Sequence, residues 1–188
     1  MRTTNDNFRR RILWITRTAV LIALLVTLQW ATAGTQAFAG QYITGSCVNC
    51  VLSVAALLGG LWSGIVVAIL SPFCAFLLGI GPALLQIVPC IALGNVALVL
   101  VLYFMLGTKT YPVWRQAVGL GVAATVKFVT LYVAVVKVFI PLMGTALVQK
   151  QVAVFTAMFS WPQLVTALIG GVVALLILPV LKKAMKRI

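Results

Sequence analysis

Apolar runs long enough to span a membrane are the feature that most constrains this chain. A helix needs about 20 apolar residues to cross the hydrocarbon core of a bilayer, and such runs follow one another along almost all of the 188 residues. They cover about 12–32, 50–70, 72–82, 83–106, 114–141 and 152–181, and the third is short. We therefore expect a single transmembrane domain over residues 1–188, an all-α integral membrane protein with six transmembrane helices.

Composition excludes most functions of soluble proteins. Charged residues make up 8% of the chain, against about 25% in a typical soluble domain, too few to cover a water-exposed surface. The chain has one acidic residue, Asp6, and no His, which excludes a pair of catalytic carboxylates and an imidazole base. It contains no GxxxxGK[ST] phosphate loop. We therefore expect a protein that is not an enzyme and that binds no cofactor or metal.

The positions of the basic residues predict the topology. Eleven of the 14 Lys and Arg fall on one side of a six-span arrangement. These are Arg2, Arg9, Arg10, Arg11, Arg17, Lys109, Arg115, Lys182, Lys183, Lys186 and Arg187. The opposite side has only Lys150, and Lys127 and Lys137 lie within the fifth run. Because Lys and Arg are enriched in cytoplasmic segments, we expect both termini in the cytoplasm. Nucleic-acid binding, which needs a basic face on a soluble fold, is not expected.

The N-terminus allows a competing interpretation. Arg9 to Arg11, the apolar run and Ala31-Thr32-Ala33 are also typical of a secretory signal peptide with a small-residue cleavage site. We favour a retained helix, because the run is long enough to span and five remaining spans would break the charge rule.

Lys127 is the most informative single residue. It lies 13 residues after Trp114, about 20 Å along a helix, and an intramembrane Lys costs at least about 2.5–3.5 kcal/mol on insertion scales. Because the apolar runs contain no acidic residue, the possible partners are backbone carbonyls, water, an acid of another chain or an anionic ligand. A deprotonated amine or a side chain that snorkels to the interface are the alternatives. Lys137, close to Pro141, is expected to snorkel, although its position about 80° around the helix from Lys127 lets both border one cavity.

Amides and aromatics cluster in the half of the membrane opposite the basic ends. The set comprises Gln29, Trp30, Gln36, Gln41, Tyr42, Asn49, Gln86, Asn95, Trp161 and Gln163. Hydrogen bonds between helices explain any single member. As a set, they predict an outward-facing pocket with a few oriented polar groups.

The segment Cys47-Val48-Asn49-Cys50 is a CxxC motif, for which two interpretations stay open. A redox enzyme is one, and a disulfide can form if the motif lies on the outer side. Small buried thiols are the other. A zinc site is not expected, since zinc takes four ligands and the chain has no His.

With these residues in view, the chain resembles the substrate-binding S component of an energy-coupling-factor (ECF) importer, the vitamin-uptake branch of the ABC transporters. The resemblance covers nearly the whole chain and includes its size, six helices and basic cytoplasmic ends. The motifs that carry it are Ala19-xxx-Ala23, Gly45-Ser46-Cys47-Val48-Asn49, Pro89 to Asn95 and Ser160-Trp161-Pro162-Gln163-Leu164. Small residues one turn apart, such as Ala19 and Ala23, let another helix approach closely.

The resemblance implies a high-affinity binding subunit in the plasma membrane of a prokaryote. It would capture a vitamin or related micronutrient from outside and deliver it through a transmembrane T protein and two ATPase subunits. Ala19 and Ala23 would dock the T protein. The ligand would be bordered by Gln36, Asn49, Asn95, Lys127, Trp161 and Gln163. A stand-alone small transporter or channel without ATPase partners is the alternative.

Overall fold

The computed structural model describes residues 2–34, 37–81, 84–107, 109 and 111–185, and these residues form helices and connections without a β-strand. The helices are α1 (Arg2–Thr32), α2 (Ala37–Val54), α3 (Leu61–Leu77), α4 (Val88–Leu106), α5 (Val113–Leu131), α6 (Ile140–Met143), α7 (Gln149–Met158) and α8 (Trp161–Met185). The all-α prediction is therefore confirmed for the described part of the chain.

In the part of the chain that the structure describes, five helical segments are long and apolar enough to cross a membrane. They are Asn7–Thr32, Gly40–Gly59, Leu85–Leu106, Val113–Met143 and Gln149–Ala184. The remaining apolar helix is α3, of 17 residues, which overlaps the second and the third predicted spans. That length is at the lower end of the roughly 17–25 residues that span a bilayer.

The predicted boundary between the second and third spans is wrong. Sequence analysis placed a break at Ser71-Pro72, whereas α3 continues through Pro72. The chain breaks instead at Gly60, whose φ of 84° and ψ of 178° belong to a region that glycine alone adopts readily. Pro72 is tolerated inside α3 because neighbouring helices and side chains can satisfy the carbonyl that it leaves free in a membrane helix.

The polar segment from Gly34 to Asn49, between the first two predicted spans, is helical over most of its described residues. Helix α2 begins at Ala37, and a π-helical turn over Ala55–Gly59 continues it to the break at Gly60. The polar side chains of this segment bond to neighbouring elements: Thr44 Oγ1 donates to Thr32 Oγ1 at 2.6 Å. Tertiary partners thus allow a sequence with the composition of a loop to form a helix.

The last predicted span, 152–181, is two helices in the structure. Helix α7 ends at Met158 and α8 begins at Trp161, with Pro162 in the first turn of α8, where its missing N–H is not needed. The fifth span agrees more closely with its prediction, but Tyr132–Phe139, in its C-terminal half, is π-helical. Such wide turns are often found at functional sites.

Helices α2 and α8 pack side by side, as do α4 with α5 and α3 with α4, while α1 lies against α2 and α3. The α2–α8 contact is close because Gly170 lies against the α2 backbone, where an added Cβ would meet the Ser46 carbonyl oxygen and the Cys50 nitrogen. Close approach through small residues is typical of helix packing in membranes.

Several of the described basic residues lie together at one end of the helices. The Lys182 amine donates to the Lys109 carbonyl at 3.2 Å, which joins the end of α8 to the α4–α5 connection. Arg10 and Arg17 line a cavity with Gly59, at the same end of α2. The cytoplasmic placement of this end is the prediction of the charge rule.

Candidate functional site

A buried hydrogen-bond network joins three helices around Lys127. The Lys127 side chain lies in α5 and is 3% exposed. Its Nζ donates to Asn49 Oδ1 of α2 at 2.5 Å and to Asn95 Oδ1 of α4 at 2.7 Å. Both asparagines are also buried, with 1% and 2% exposure respectively. Three of the predicted ligand-bordering residues, from distant parts of the sequence, therefore meet at one point.

The network extends to a fourth helix through Thr166. The Asn49 amide nitrogen donates to Thr166 Oγ1 at 3.3 Å, and that hydroxyl donates to the Gln163 carbonyl oxygen at 3.2 Å. The Asn49 side chain thus accepts from Lys127 through its oxygen and donates to α8 through its nitrogen. This bonding fixes which side of the amide faces the lysine.

Local packing explains why these side chains meet near the middle of their helices. Asn95 lies ten residues after Leu85 and eleven before Leu106, the bounds of its span. Gly94 lies against the Leu131 side chain, so α4 approaches α5 closely there. On the other side, Gly45 of α2 lies against Thr166 of α8. The glycine next to Asn95 and the glycine one turn before Asn49 let the helices approach within hydrogen-bonding distance.

The electrostatics of the network are unusual. Buried lysines are normally paired with a carboxylate, but the only acidic residue of the chain is Asp6, near the N-terminus. Lys127 instead contacts two amide oxygens, which carry partial rather than full negative charge. A lysine ammonium has three N–H donors, and in the described residues two acceptors contact Nζ. When its amine is protonated, Lys127 therefore has one N–H donor left for an anionic group.

Gln163 lies in a second, smaller group at the break between α7 and α8. Its amide nitrogen donates to the Met158 carbonyl oxygen at 3.0 Å, and the Gln41 amide nitrogen donates to the same oxygen at 2.7 Å. This shared acceptor ties the first turns of α2 to the exposed carbonyl at the end of α7. Gln163 also belongs to the Lys127 network through its own backbone carbonyl.

Those of the remaining predicted residues that the structure describes lie apart from the network. The Trp161 side chain is 64% exposed at the start of α8, and Gln36 lies outside the described residues. Ala19 and Ala23 are exposed on α1. Lys137 is exposed, with its Nζ 5.7 Å from the centroid of the Tyr132 ring, so it shares no buried site with Lys127.

The CxxC motif lies within α2 rather than in a loop. Cys47 and Cys50 are free thiols, and both line an apolar groove between α1, α2 and α8. Within the described residues, no group of three or more His, Cys, Asp or Glu side chains is placed to hold a metal ion.

Thr166 is the network residue that sequence analysis missed. It lies one turn after Gln163 on the same face of α8, and this spacing is the only signal that connects it to a predicted residue. Its partner Asn49 is 117 positions away in the chain.

Comparison with known protein families adds the deciding observation. Residues 14–182 match the family described as ECF transporter, substrate-specific component. The chain belongs to this family. The resemblance that the sequence motifs predicted is therefore confirmed over most of the S component. No significant match was found among curated proteins or among solved structures.

Family membership gives the S component a general role. Members are membrane-embedded transporter subunits that determine the substrate, generally without catalysing a reaction, and they work with a T protein and ATPases in the plasma membrane of prokaryotes. The helical spans agree with that setting.

Proposed function

We propose that this S component captures a vitamin or related micronutrient bearing a carboxylate or phosphate from outside the cell. It would deliver this substrate through the T protein and two ATPase subunits. The proposal combines the family of the chain with the chemistry of the buried network.

The observation that carries the proposal is a buried lysine amine whose partners, within the described residues, are two amide oxygens and no carboxylate. A charged residue inside a membrane usually marks a substrate or ion pathway. An anion that accepts the third N–H of Lys127 would supply the missing negative charge. Asn49 and Asn95 orient the amine for that contact, and Thr166 holds the Asn49 amide.

The outer half of the site would complete the pocket. Gln163 and Gln41 donate their amide nitrogens to Met158, which leaves both amide oxygens as acceptors for donor groups of the substrate. We assign Trp161 to the rim of the pocket, since an exposed indole at a helix start suits contact with a flat ring. Gln36 is proposed to border the ligand from the connection between α1 and α2.

Delivery needs alternating access and a source of energy. The chain has no phosphate loop, so ATP hydrolysis belongs to the partner subunits. We propose that the T protein docks on the α1 face that carries Ala19 and Ala23, both exposed. Small side chains there allow close approach of a partner helix.

Mass spectrometry of the protein purified from its host in rich medium tests the proposal. We expect a small molecule with a carboxylate or phosphate, together with a T protein and ATPase subunits. A bound molecule without an anionic group would contradict the role of Lys127. Transport activity in the absence of any ATPase subunit would favour a stand-alone transporter.

A further inference from the structure

An apolar groove runs along the outside of the helices, away from the Lys127 network. It has a volume of about 500 Å³ and lies between α1, α2 and α8. Val20, Leu24 and Leu28 form its α1 wall, and Val173 and Ile177 form its α8 wall. Apart from Ser46, its lining consists of aliphatic and cysteine side chains. The groove therefore suits hydrocarbon rather than a polar ligand.

A second cavity, of about 160 Å³, adjoins one end of this groove and has the opposite character. Arg10, Arg17, Trp14 and Ser63 line it, and Leu58 lines both cavities. Arg10 and Arg17 are seven residues apart, which puts them two turns apart on one face of α1. A cationic recess thus leads directly into an apolar channel.

Arg17, one of the two arginines of this recess, has no acidic residue close to it in the sequence. The only carboxylate side chain of the protein is that of Asp6, one turn before Arg10. Arg17 lies eleven residues from Asp6, about 16 Å along the helix, which is beyond the reach of an ion pair. The guanidinium of Arg17 is exposed and forms bidentate contacts readily with phosphate oxygens.

The dimensions of the two cavities match one leaflet of a bilayer. From Arg17 to Leu28 is about 16 Å along α1, close to half of the roughly 30 Å hydrocarbon thickness. Trp14 lies at the level of the arginines, and tryptophan is enriched at the boundary between hydrocarbon and headgroups. The recess is therefore at headgroup depth when the groove is at acyl-chain depth.

We propose that these two cavities form a binding site for one anionic glycerophospholipid. Its phosphodiester contacts Arg17 and Arg10, and one acyl chain lies in the groove between α1, α2 and α8. The headgroup gives the preference, because an acyl chain leaves an equally apolar environment to enter the groove. The site borders the face that carries Ala19 and Ala23 but does not depend on the substrate or on the T protein.

Native mass spectrometry of the purified full chain, titrated with phosphatidylglycerol or phosphatidylcholine, tests this site. A basic residue near a membrane surface contributes enough binding free energy to change the affinity for an anionic lipid by about fivefold. We expect Arg17→Gln and Arg10→Gln each to weaken phosphatidylglycerol binding by about that factor, and by about 25-fold together. Arg9→Gln and Arg11→Gln are matched controls, since neither residue lines the recess.

A substitution in the groove distinguishes a lipid whose acyl chain lies in the groove from a lipid that is bound only through its headgroup. Leu24→Trp leaves both arginines in place but fills the groove, so it should weaken phosphatidylglycerol binding. Added inorganic phosphate should leave phosphatidylglycerol binding unchanged. Equal losses for all four arginine variants would overturn the proposal in favour of general charge attraction. Undiminished lipid binding by Leu24→Trp, or a doubled protein mass in place of bound lipid, would also overturn it.

Discussion

Replacing Lys127 with Met isolates the proposed role of the ammonium group. Methionine keeps an unbranched, flexible side chain in the same space but donates no hydrogen bond. A hydrogen bond to a charged group contributes about 1.5–3 kcal/mol, and 1.36 kcal/mol corresponds to a tenfold change in affinity. Lys127→Met should therefore weaken the binding of an anionic substrate by roughly 10- to 150-fold.

The same substitution has a separate cost in the free protein. Asn49 Oδ1 and Asn95 Oδ1 both lose their donor, and a buried acceptor without a partner costs about 1–3 kcal/mol. Removal of a buried cation offsets part of this cost. We therefore expect a folded variant with a lower melting temperature, and its helicity and melting must be measured beside its affinity.

Titration calorimetry with the compound identified by mass spectrometry provides the measurement, and Lys137→Met provides the control. The control makes the same substitution in the same span, but at an exposed side chain, and should change affinity by less than twofold. The reasoning is refuted if folded Lys127→Met binds the anionic compound with unchanged affinity. It is equally refuted if the two variants lose affinity to the same extent.

Three further predictions concern docking, packing and the thiols. Leucine at both Ala19 and Ala23 should abolish co-purification with the T protein while substrate affinity stays unchanged; loss of both properties would indicate misfolding instead. Gly170→Ala should lower the melting temperature because its Cβ would meet the α2 backbone at Ser46, whereas Gly121→Ala enters open space and gains about 1 kcal/mol of helix propensity. Equal melting shifts for the two glycines would contradict the close α2–α8 contact. Serine at both cysteines of the CxxC motif should leave uptake unchanged, since these thiols are free and line an apolar groove; loss of uptake would favour the redox interpretation.

The core of the site was largely predictable from sequence because its residues are individually anomalous. Lys127 near the middle of one apolar run and Asn95 within another stand out against their surroundings, and Asn49 directly precedes a third. Their meeting was not derivable, since Asn49 is 78 residues and Asn95 is 32 residues from Lys127 in the chain. Periodicity describes one helix at a time and contains no information on which helices are neighbours.

Thr166 was missed for a different reason. Threonines are common in these helices and usually bond to their own backbone, as Thr27 does to the Ala23 carbonyl and Thr125 to the Gly121 carbonyl. Thr166 bonds to its own helix in a similar way but also accepts from Asn49. Only the position of α2 distinguishes this threonine from the others.

The helix break was misplaced because two signals competed. Pro72 is the stronger breaker in water, where it costs about 3 kcal/mol or more inside a helix. In a membrane the surrounding helices compensate for it. Gly60 breaks the chain instead because its backbone adopts a conformation that residues with a side chain avoid.

The network around Lys127 also has a consequence for how the protein is made. Both amide acceptors precede the lysine in the chain, so during synthesis from the N-terminus α2 and α4 enter the bilayer before α5. Lys127 therefore enters the bilayer after the helices that carry its hydrogen-bond partners. Thr166 enters last and fixes the Asn49 amide from α8. The order of the helices in the chain thus avoids a stage of synthesis in which Lys127 is in the bilayer without its hydrogen-bond acceptors.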